Sequence, residues 1–145
     1  PGEIKVVVYD AEGNAAGEQT IKTAGKPAAL KLEASTASHA STASPILKSD
    51  GDDLAFITVS LTDAEGTLIP QADDQLTFEV SGAGSFEAVC NGDATSLESF
   101  KSPTMRLFNG QLVVIVRSAK QPGTLTLKVT DTNMSMTEAI DIQVK

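Results

Sequence analysis

An all-β fold is predicted by three features of this 145-residue sequence. Short segments alternate apolar and polar residues with a period of two, as half-buried strands do. Clusters of Gly, Pro, Asn and Asp separate these segments, and no segment has the 3.6-residue periodicity of an amphipathic helix. A succession of short strands and turns of this kind predicts an immunoglobulin-like antiparallel β-sandwich.

The composition narrows the range of partners. Hydrophobic residues make up 41% of the chain and charged residues 21%, which is ordinary for a globular domain. The net charge of −8 disfavours nucleic acid and anionic membranes, because both attract proteins through patches of Lys and Arg. No apolar run approaches the roughly 18 residues of a membrane-spanning helix, and no cofactor or metal site is predicted.

The first predicted unit is a β-hairpin, in which residues 3–10 and 15–23 flank a loop marked by Gly13. Apolar residues of its first strand share one face: Ile4, Val6 and Val8. An isolated hairpin is only marginally stable in water. We therefore expect these strands either to pack on the next domain or to belong to a preceding domain of a longer protein.

A second strand region begins at Ala28, because residues 28–34 alternate small or apolar residues with charged ones. Residues 35–45 are small and polar, without periodicity, which predicts a flexible surface loop. His39, the only histidine, lies in this loop, and we expect an exposed side chain rather than a metal ligand or general base.

Three further strands are predicted at residues 54–61, 76–80 and 86–90. The single cysteine, Cys90, ends the third of them, and its apolar surroundings favour a buried, unreactive thiol. Four phenylalanines in alternating segments are expected in the core: Phe56, Phe78, Phe86 and Phe108.

Asn109-Gly110 predicts a tight hairpin that joins residues 105–108 to residues 112–116. Both turn residues of such a hairpin need a positive φ, which Asn and Gly tolerate. A turn at residues 121–123 then leads to the last two strands, residues 125–129 and 136–144.

The polar segment that follows Asn91-Gly92 is the candidate functional surface. Residues 93–103 are too polar and irregular to belong to the core, so we expect loop 91–104 to form a special surface. Its candidate residues are Asn91, Asp93, Glu98, Phe100 and Arg106.

Two groups of acidic residues are candidates for calcium binding and for glycoside hydrolysis, but the sequence contains no clear catalytic constellation. Residues 50–53 offer carboxylates to calcium, but a solvated turn in which Asp side chains accept backbone N–H groups is favoured. Glu87, Asp93 and Glu98 invite comparison with the two carboxyls of a glycosidase. Hydrogen bonds within the turn, or pairing of Asp93 and Glu98 with Lys101 or Arg106, are the favoured roles.

A carbohydrate-binding surface normally presents aromatic rings to the apolar faces of sugars, and this sequence has few aromatic residues. The chain has no Trp and one Tyr. With the other phenylalanines of the central strands expected in the core, Phe100 is the one aromatic residue predicted in a loop. A carbohydrate-binding module therefore stays as an alternative function.

Several runs of residues, taken together, resemble a known family. They are Thr23-Ala-Gly-Lys-Pro-Ala-Ala-Leu-Lys-Leu32, Pro70-Gln-Ala-Asp-Asp-Gln-Leu-Thr-Phe-Glu-Val-Ser-Gly-Ala-Gly84, Asn91-Gly-Asp-Ala-Thr-Ser-Leu-Glu-Ser-Phe100 and Arg106-Leu-Phe-Asn-Gly-Gln-Leu-Val-Val-Ile-Val-Arg-Ser118. In this order they resemble the C-terminal immunoglobulin-like domain of bacterial glycoside hydrolase family 2 β-galactosidases. The resemblance extends over nearly the whole chain.

The resemblance implies a division of the chain and a role for it. Residues 1–24 would be the closing hairpin of a preceding immunoglobulin-like domain plus a linker, and residues 25–145 the sandwich. The chain would be a non-catalytic accessory domain, with the catalytic barrel elsewhere in the parent enzyme.

The same resemblance implies partners and a location. Loop 91–104 would pack on other domains of the parent enzyme, shape the rim of its active site or support oligomer contacts. The parent is expected in the periplasm or at the cell surface. An adhesin-like or invasin-like structural spacer is the alternative from a different functional class.

Overall fold

The computed structural model describes residues 1–36 and 45–145, and their regular elements are all β-strands. These strands are β1 (Glu3–Tyr9), β2 (Ala15–Lys22), β3 (Ala29–Thr36), β4 (Ile46–Leu47), β5 (Leu54–Thr62), β6 (Gln75–Gly82), β7 (Gly84–Cys90), β8 (Thr104–Arg106), β9 (Gln111–Ser118), β10 (Gly123–Asp131) and β11 (Met136–Val144). The predicted all-β fold class is confirmed. His39 and most of the predicted loop 35–45 lie outside the described residues.

Strands β3 to β11 form a sandwich of two sheets. One sheet has the strand order β4-β11-β10-β6-β8 and the other has the order β3-β5-β9-β7. Pairing is antiparallel throughout, apart from the parallel pair of β4 and β11. From β4 to β10 each connection crosses from one sheet to the other, so the loops gather at the two ends of the sandwich.

The core lies between the two sheets and follows the period of two that the sequence displays. In β5, Ala55, Ile57 and Val59 are fully buried, while the intervening Phe56 and Thr58 are half-buried on the outer face. The facing strand β10 contributes three more fully buried residues: Leu125, Leu127 and Val129. Burial of one such side chain contributes roughly 1.5–3 kcal/mol, so these inner faces are the main source of stability.

Two stacked phenylalanine rings link the sheets near one edge. Phe78 of β6 and Phe86 of β7 lie parallel, with ring centroids 6.3 Å apart and an interplanar angle of 8°. Phe78 is buried and Phe86 partly buried against the core, as the sequence predicted for both. Offset aromatic pairs at such distances add about 0.5–1.5 kcal/mol to their area burial.

The hairpin of β1 and β2 forms a separate two-stranded sheet. Its strands pair antiparallel, with Ile4 opposite Ile21 and Val6 opposite Gln19. One face is apolar and its side chains are 58–70% exposed: Ile4, Val6, Val8 and Ile21. No residue before Leu30 contributes to the core of the described chain, so the hairpin lies outside the hydrophobic interior of the sandwich.

Asp63 fixes the linker between the hairpin and the sandwich. Its Oδ2 accepts the backbone N–H of Gly25 at 2.8 Å, and its Oδ1 accepts those of Glu65 and Thr67. These bonds hold the pKa of Asp63 below its ordinary value, with the Gly25 bond the largest cause. A single buried carboxylate therefore both caps the turn after β5 and anchors the linker.

The hairpin predicted at Asn109-Gly110 is wrong in its strand pairing, although the turn itself is present. Asn109 and Gly110 have φ of 51° and 78°, and Phe108 and Gln111 exchange both backbone hydrogen bonds. The segment before the turn, however, belongs to β8, which pairs with β6, whereas β9 pairs with β5 and β7. The turn thus carries the chain from one sheet to the other, because its two flanks bury their apolar residues from opposite layers.

The expectations for residues 35–36 and for Phe56 also need correction. Ser35 and Thr36 belong to β3 rather than to a loop, because they pair with Phe56 and Ala55. Phe56 is half-buried on the outer face of β5, since it falls out of phase with the buried residues.

Phe108 and Cys90 are also less enclosed than expected. Phe108 is 41% exposed because it sits in the crossing turn rather than in a strand interior. Cys90 is half-buried rather than buried, because it ends β7 with its side chain on the outer face.

Candidate functional site

Loop 91–104 is an ordered structure built largely from its own short polar side chains. Asn91 accepts the N–H of Asp93 at 3.0 Å and donates through Nδ2 to the carbonyl of Arg106 at 3.0 Å. Asp93 accepts the N–H and the hydroxyl of Thr95, and these bonds lower its pKa. Such side-chain bonds replace a strand ladder as partners of the backbone.

Glu98 joins this loop to the neighbouring sheet edge. Its Oε1 accepts Nε2 of Gln75 and its Oε2 accepts the backbone N–H of Arg106, both at 3.3 Å. The Arg106 guanidinium donates to the carbonyl of Asp73 instead, at 3.1 Å. The prediction that Asp93 bonds its own turn is therefore confirmed. Glu98 instead bonds the neighbouring strands, and the alternative pairing of Glu98 with the Arg106 side chain is not found.

Two backbone hydrogen bonds fasten the loop to the sandwich. The N–H of Val89 in β7 donates to the carbonyl of Phe100, and the N–H of Phe78 in β6 donates to that of Pro103, each at 2.8 Å. The loop consequently bridges β7, an edge strand of one sheet, and β6 of the other sheet. The positions of β6 and β7 therefore determine where the loop lies.

An ion network extends from the loop across the end of the sandwich. Lys101 Nζ lies 2.6 Å from Glu87 Oε1, and Arg117 Nε lies 2.9 Å from Glu87 Oε2. Arg117 also reaches Asp52 at 3.2 Å. Hydrogen bonds first from Arg117 and then from Lys101 lower the pKa of Glu87 to about 2. Pairing of Lys101 with Asp93 or Glu98, one of the two roles that the sequence left open, is not found, because β7 brings Glu87 closer.

Neither Glu87 nor Asp93 has the raised pKa of a glycosidase general acid. A general acid in such an enzyme has a raised pKa, so that it holds its proton near neutral pH. The pKa values of Glu87 and Asp93 are both lowered. What Glu87 and its cationic partners can do is hold the loop, β7 and the turn at Asp52 together.

The turn at residues 50–53 also has the predicted form. Asp50 accepts the N–H groups of Asp52 and Asp53, each at 2.9 Å, and these bonds lower its pKa. Asp53 accepts the N–H of Lys48. Within residues 1–36 and 45–145, no group of three His, Cys, Asp or Glu residues is arranged to hold a metal ion.

Loop 91–104 also presents apolar side chains to solvent. Leu97 is 100% exposed and Phe100 is 57% exposed. Both lie on a loop whose backbone is fixed by the bonds described above, so the exposure is not a consequence of an open, unbonded chain. Leu97 and Phe100 are therefore the apolar side chains that this loop could offer to a partner surface.

A cleft of about 470 Å³ lies beside this loop, between the two Asn-Gly turns. Thr58, Val113 and Cys90 are lateral neighbours on three adjacent strands and form its floor. Asn91 and Gly92 line one side, and Phe108, Asn109 and Gln111 line the other. We call it the Asn-Gly cleft. The sequence singled out both turns but not their convergence, because β8 and β9 were assigned to one hairpin.

A second group of cavities surrounds the linker. One, of about 400 Å³, lies between residues 21–25 and residues 67–71 and is mainly apolar in character, with Ile21, Leu68 and Ile69 in its wall. It lies where the hairpin leaves the sandwich.

In the part of the chain that the structure describes, no helix is long and apolar enough to cross a membrane.

Comparison with known proteins identifies a family model and two sequence relatives that match most of this chain. A family model described as glycoside hydrolase family 2 C-terminal domain 5 matches residues 39–139. The β-galactosidase BoGH2A of Bacteroides ovatus is 35% identical over 140 residues, which is 97% of this chain and 15% of that protein. A β-glucuronidase of Formosa agariphila is 33% identical over 109 residues, or 75% of this chain and 10% of that protein.

A solved structure agrees with these sequence matches. A glycosyl hydrolase family 2 member from Bacteroides cellulosilyticus superposes with a TM-score of 0.88 and 28% identity, covering 99% of this chain and 17% of that one. The chain therefore spans between about one tenth and one sixth of the length of these relatives. Most of each relative lies outside the matched segment.

Proposed function

Because the chain belongs to the glycoside hydrolase family 2 C-terminal domain 5 family, we propose that it serves a larger glycosidase as a non-catalytic accessory domain. The described residues are strands and turns, without the helices of a (β/α)₈ barrel. The family match favours this role over an adhesin-like spacer. The chain's contribution would then be contact with other parts of the parent enzyme.

The observation that carries the proposal is the exposed apolar surface on an ordered loop. The backbone of the loop is bonded to β7 at Phe100 and to β6 at Pro103, while Leu97 is 100% exposed and Phe100 is 57% exposed. Contact with a partner surface would remove this apolar area from water, which stabilises the contact by about 25 cal/mol for each Å² buried. Loop 91–104 is accordingly the proposed packing or rim surface, with Asn91, Asp93, Glu98 and Arg106 as its supports.

The hairpin supplies the second proposed contact. Its apolar face is more than half exposed, and a two-stranded sheet needs another layer for stability. Residues 1–24 are proposed to complete a neighbouring immunoglobulin-like domain, and residues 25–145 to form the accessory sandwich. The bonds of Asp63 would then set the angle between the two.

The test compares the parent enzyme with the isolated chain. Leu97→Ser is expected to lower the thermal unfolding midpoint or the turnover of the parent, because it removes an apolar contact between domains. In the isolated chain the same change should leave the midpoint unaltered, since Leu97 is fully exposed there. Met134→Ser, at an exposed apolar residue of the β10–β11 turn, is the control. Equal behaviour of the Leu97 variant and the wild type in both settings would contradict the packing role.

For the parent we propose a β-galactosidase activity. The relative that covers 97% of this chain carries that name, and a less extensive match is named a β-glucuronidase. Assays of the parent with nitrophenyl β-galactoside and nitrophenyl β-glucuronide separate the two. A preference for the glucuronide would overturn the galactosidase assignment and leave the accessory role intact.

A location in the periplasm or at the cell surface is proposed for the parent, on family resemblance. Cell fractionation with an antibody against this domain is the direct test. Recovery with cytoplasmic markers would contradict the proposal.

A further inference from the structure

We propose that the Asn-Gly cleft binds a neutral saccharide. Its lining includes Asn91 and Gly92 from the start of loop 91–104, but not Phe100, the one loop aromatic that the sequence offered for sugar contact. Its lining combines one exposed aromatic ring, three carboxamides and the Thr58 hydroxyl with the side chains of Val113 and Cys90.

Charge is the first argument. The chain contains 19 acidic and 11 basic residues, yet none of them lines the cleft. An ionic ligand would lose hydration there without gaining a partner of opposite charge. A neutral ligand incurs no such cost, so uronic acids and phosphorylated sugars are disfavoured.

The chemistry of the lining is the second argument. Asn91, Asn109 and Gln111 carry amides that both donate and accept hydrogen bonds, and Thr58 adds a hydroxyl. Vicinal hydroxyls of a sugar have the same dual character. Phe108, 41% exposed, offers an aromatic surface for the C–H face of a pyranose.

Rigidity is the third argument, because a preformed site avoids the cost of ordering side chains on binding. Phe108 and Gln111 exchange two backbone hydrogen bonds, and Gln111 Nε2 donates to the Ser60 hydroxyl at 2.9 Å. Asn91 is held by Arg106 and Asp93. Both walls of the cleft are therefore fixed before any ligand arrives.

Size agrees with this assignment. The cleft volume of about 470 Å³ lies in the usual range of small-molecule sites. The choice of a saccharide over another neutral ligand rests on the proposed carbohydrate-active parent.

The experiment is an NMR titration of the whole chain, labelled with ¹⁵N, against galactose, β-1,4-galactotetraose, cellotetraose and glucuronic acid. Ligand is added to roughly 20 mM, because a single-ring site is expected near the millimolar range. At least one neutral sugar should shift the amides of Cys90, Gly92 and Gln111, and glucuronic acid should not. Absence of shifts with all three neutral sugars would overturn the proposal.

Three variants locate the site. Phe108→Ala should weaken binding about tenfold, as expected for one aromatic contact, and Thr58→Val should weaken it without loss of the β-branched packing. Phe100→Ala, the matched control on loop 91–104, should leave affinity within about twofold. Sugar binding that depends on Phe100 and not on Phe108 would also overturn the proposal. The Leu97→Ser test in the parent is independent, so failure of one leaves the other standing.

Discussion

Gly110 is the residue on which the crossing between β8 and β9 depends. Its φ is 78°, its N–H donates to the carbonyl of Ala72, and its own carbonyl accepts the N–H of Leu61. A Cβ added at this position would lie 2.2 Å from the carbonyl oxygen of Ile69. Gly92 has a similar φ of 80° but open space around it.

This pair of glycines gives a matched prediction. Gly92→Ala should cost about 1–2 kcal/mol of unfolding free energy, the strain of a left-handed residue alone. Gly110→Ala should cost about 3 kcal/mol or more, because backbone overlap is added to that strain. Urea denaturation of both variants measures the difference, and equal losses would contradict the close approach to Ile69.

Glu87 gives a prediction about pH. Its pKa is lowered to about 2 in the folded chain by Arg117 and Lys101, whereas an unfolded chain releases it to the ordinary value near 4.5. The stability from this group is therefore complete above about pH 4.5 and is lost as the pH falls toward 2. Glu87→Gln should flatten the dependence of the melting temperature on pH across that window.

The control for this change is Glu138→Gln, which removes an exposed carboxyl of β11 outside the network. Melting curves of both variants at matched ionic strength give the comparison. If the two variants followed the same pH profile, the network would have no measurable role. Salt should weaken the effect, because the partners of Glu87 are partly exposed.

Among the elements, the linker shows how one side chain sets the relation between two units. Asp63→Ala removes the acceptor of the Gly25 N–H and of two turn amides. We expect faster hydrogen exchange at Gly25 and a wider spread of hairpin orientations, visible in residual dipolar couplings. Asp73→Ala, which keeps the backbone carbonyl that Arg106 uses, is the control. Unchanged couplings in the Asp63 variant would show that other contacts fix the hairpin.

Strands were more predictable from the sequence than their partners. Alternation located β1, β3 and β6, because a strand with one apolar face repeats every two residues. The pairing of β8 with β6 was missed, since a tight turn at Asn109-Gly110 has the same local signature whether or not its flanks form a hairpin. The outcome depends on whether the two strands beside the turn lie in the same sheet or in opposite sheets, and here β8 and β9 lie in opposite sheets.

The candidate site was predictable only in part for a similar reason. The bonds of Asp93 to Thr95 follow from residue type and short spacing, and the sequence anticipated them. Partners distant in the chain, such as Glu87 for Lys101, depend on which edge strand lies alongside. The Asn-Gly cleft needed the same knowledge, because its walls come from turns that only the sheet order brings together.

At the scale of the whole molecule, stability and attachment lie in different parts of the chain. The core contains no residue of the hairpin in the described structure. A chain limited to residues 25–145 should therefore keep its free energy of unfolding within about 0.5 kcal/mol, the range of changes outside the core. Chemical denaturation tests this division. A large loss would show that residues 1–24 are part of the same folding unit.

The two-stranded sheet of β1 and β2 has a consequence for how the domain behaves once separated from a parent protein. Each of its strands has one edge of unpaired N–H and C=O groups, and the segment Ile4-Lys-Val-Val-Val-Tyr9 is rich in residues of high β-propensity. Such an edge is a template for self-association into extended aggregates, with the charged pair Lys5 and Glu18 as its main deterrent. Proteolytic release of this domain would thus turn an attachment element into a nucleation point.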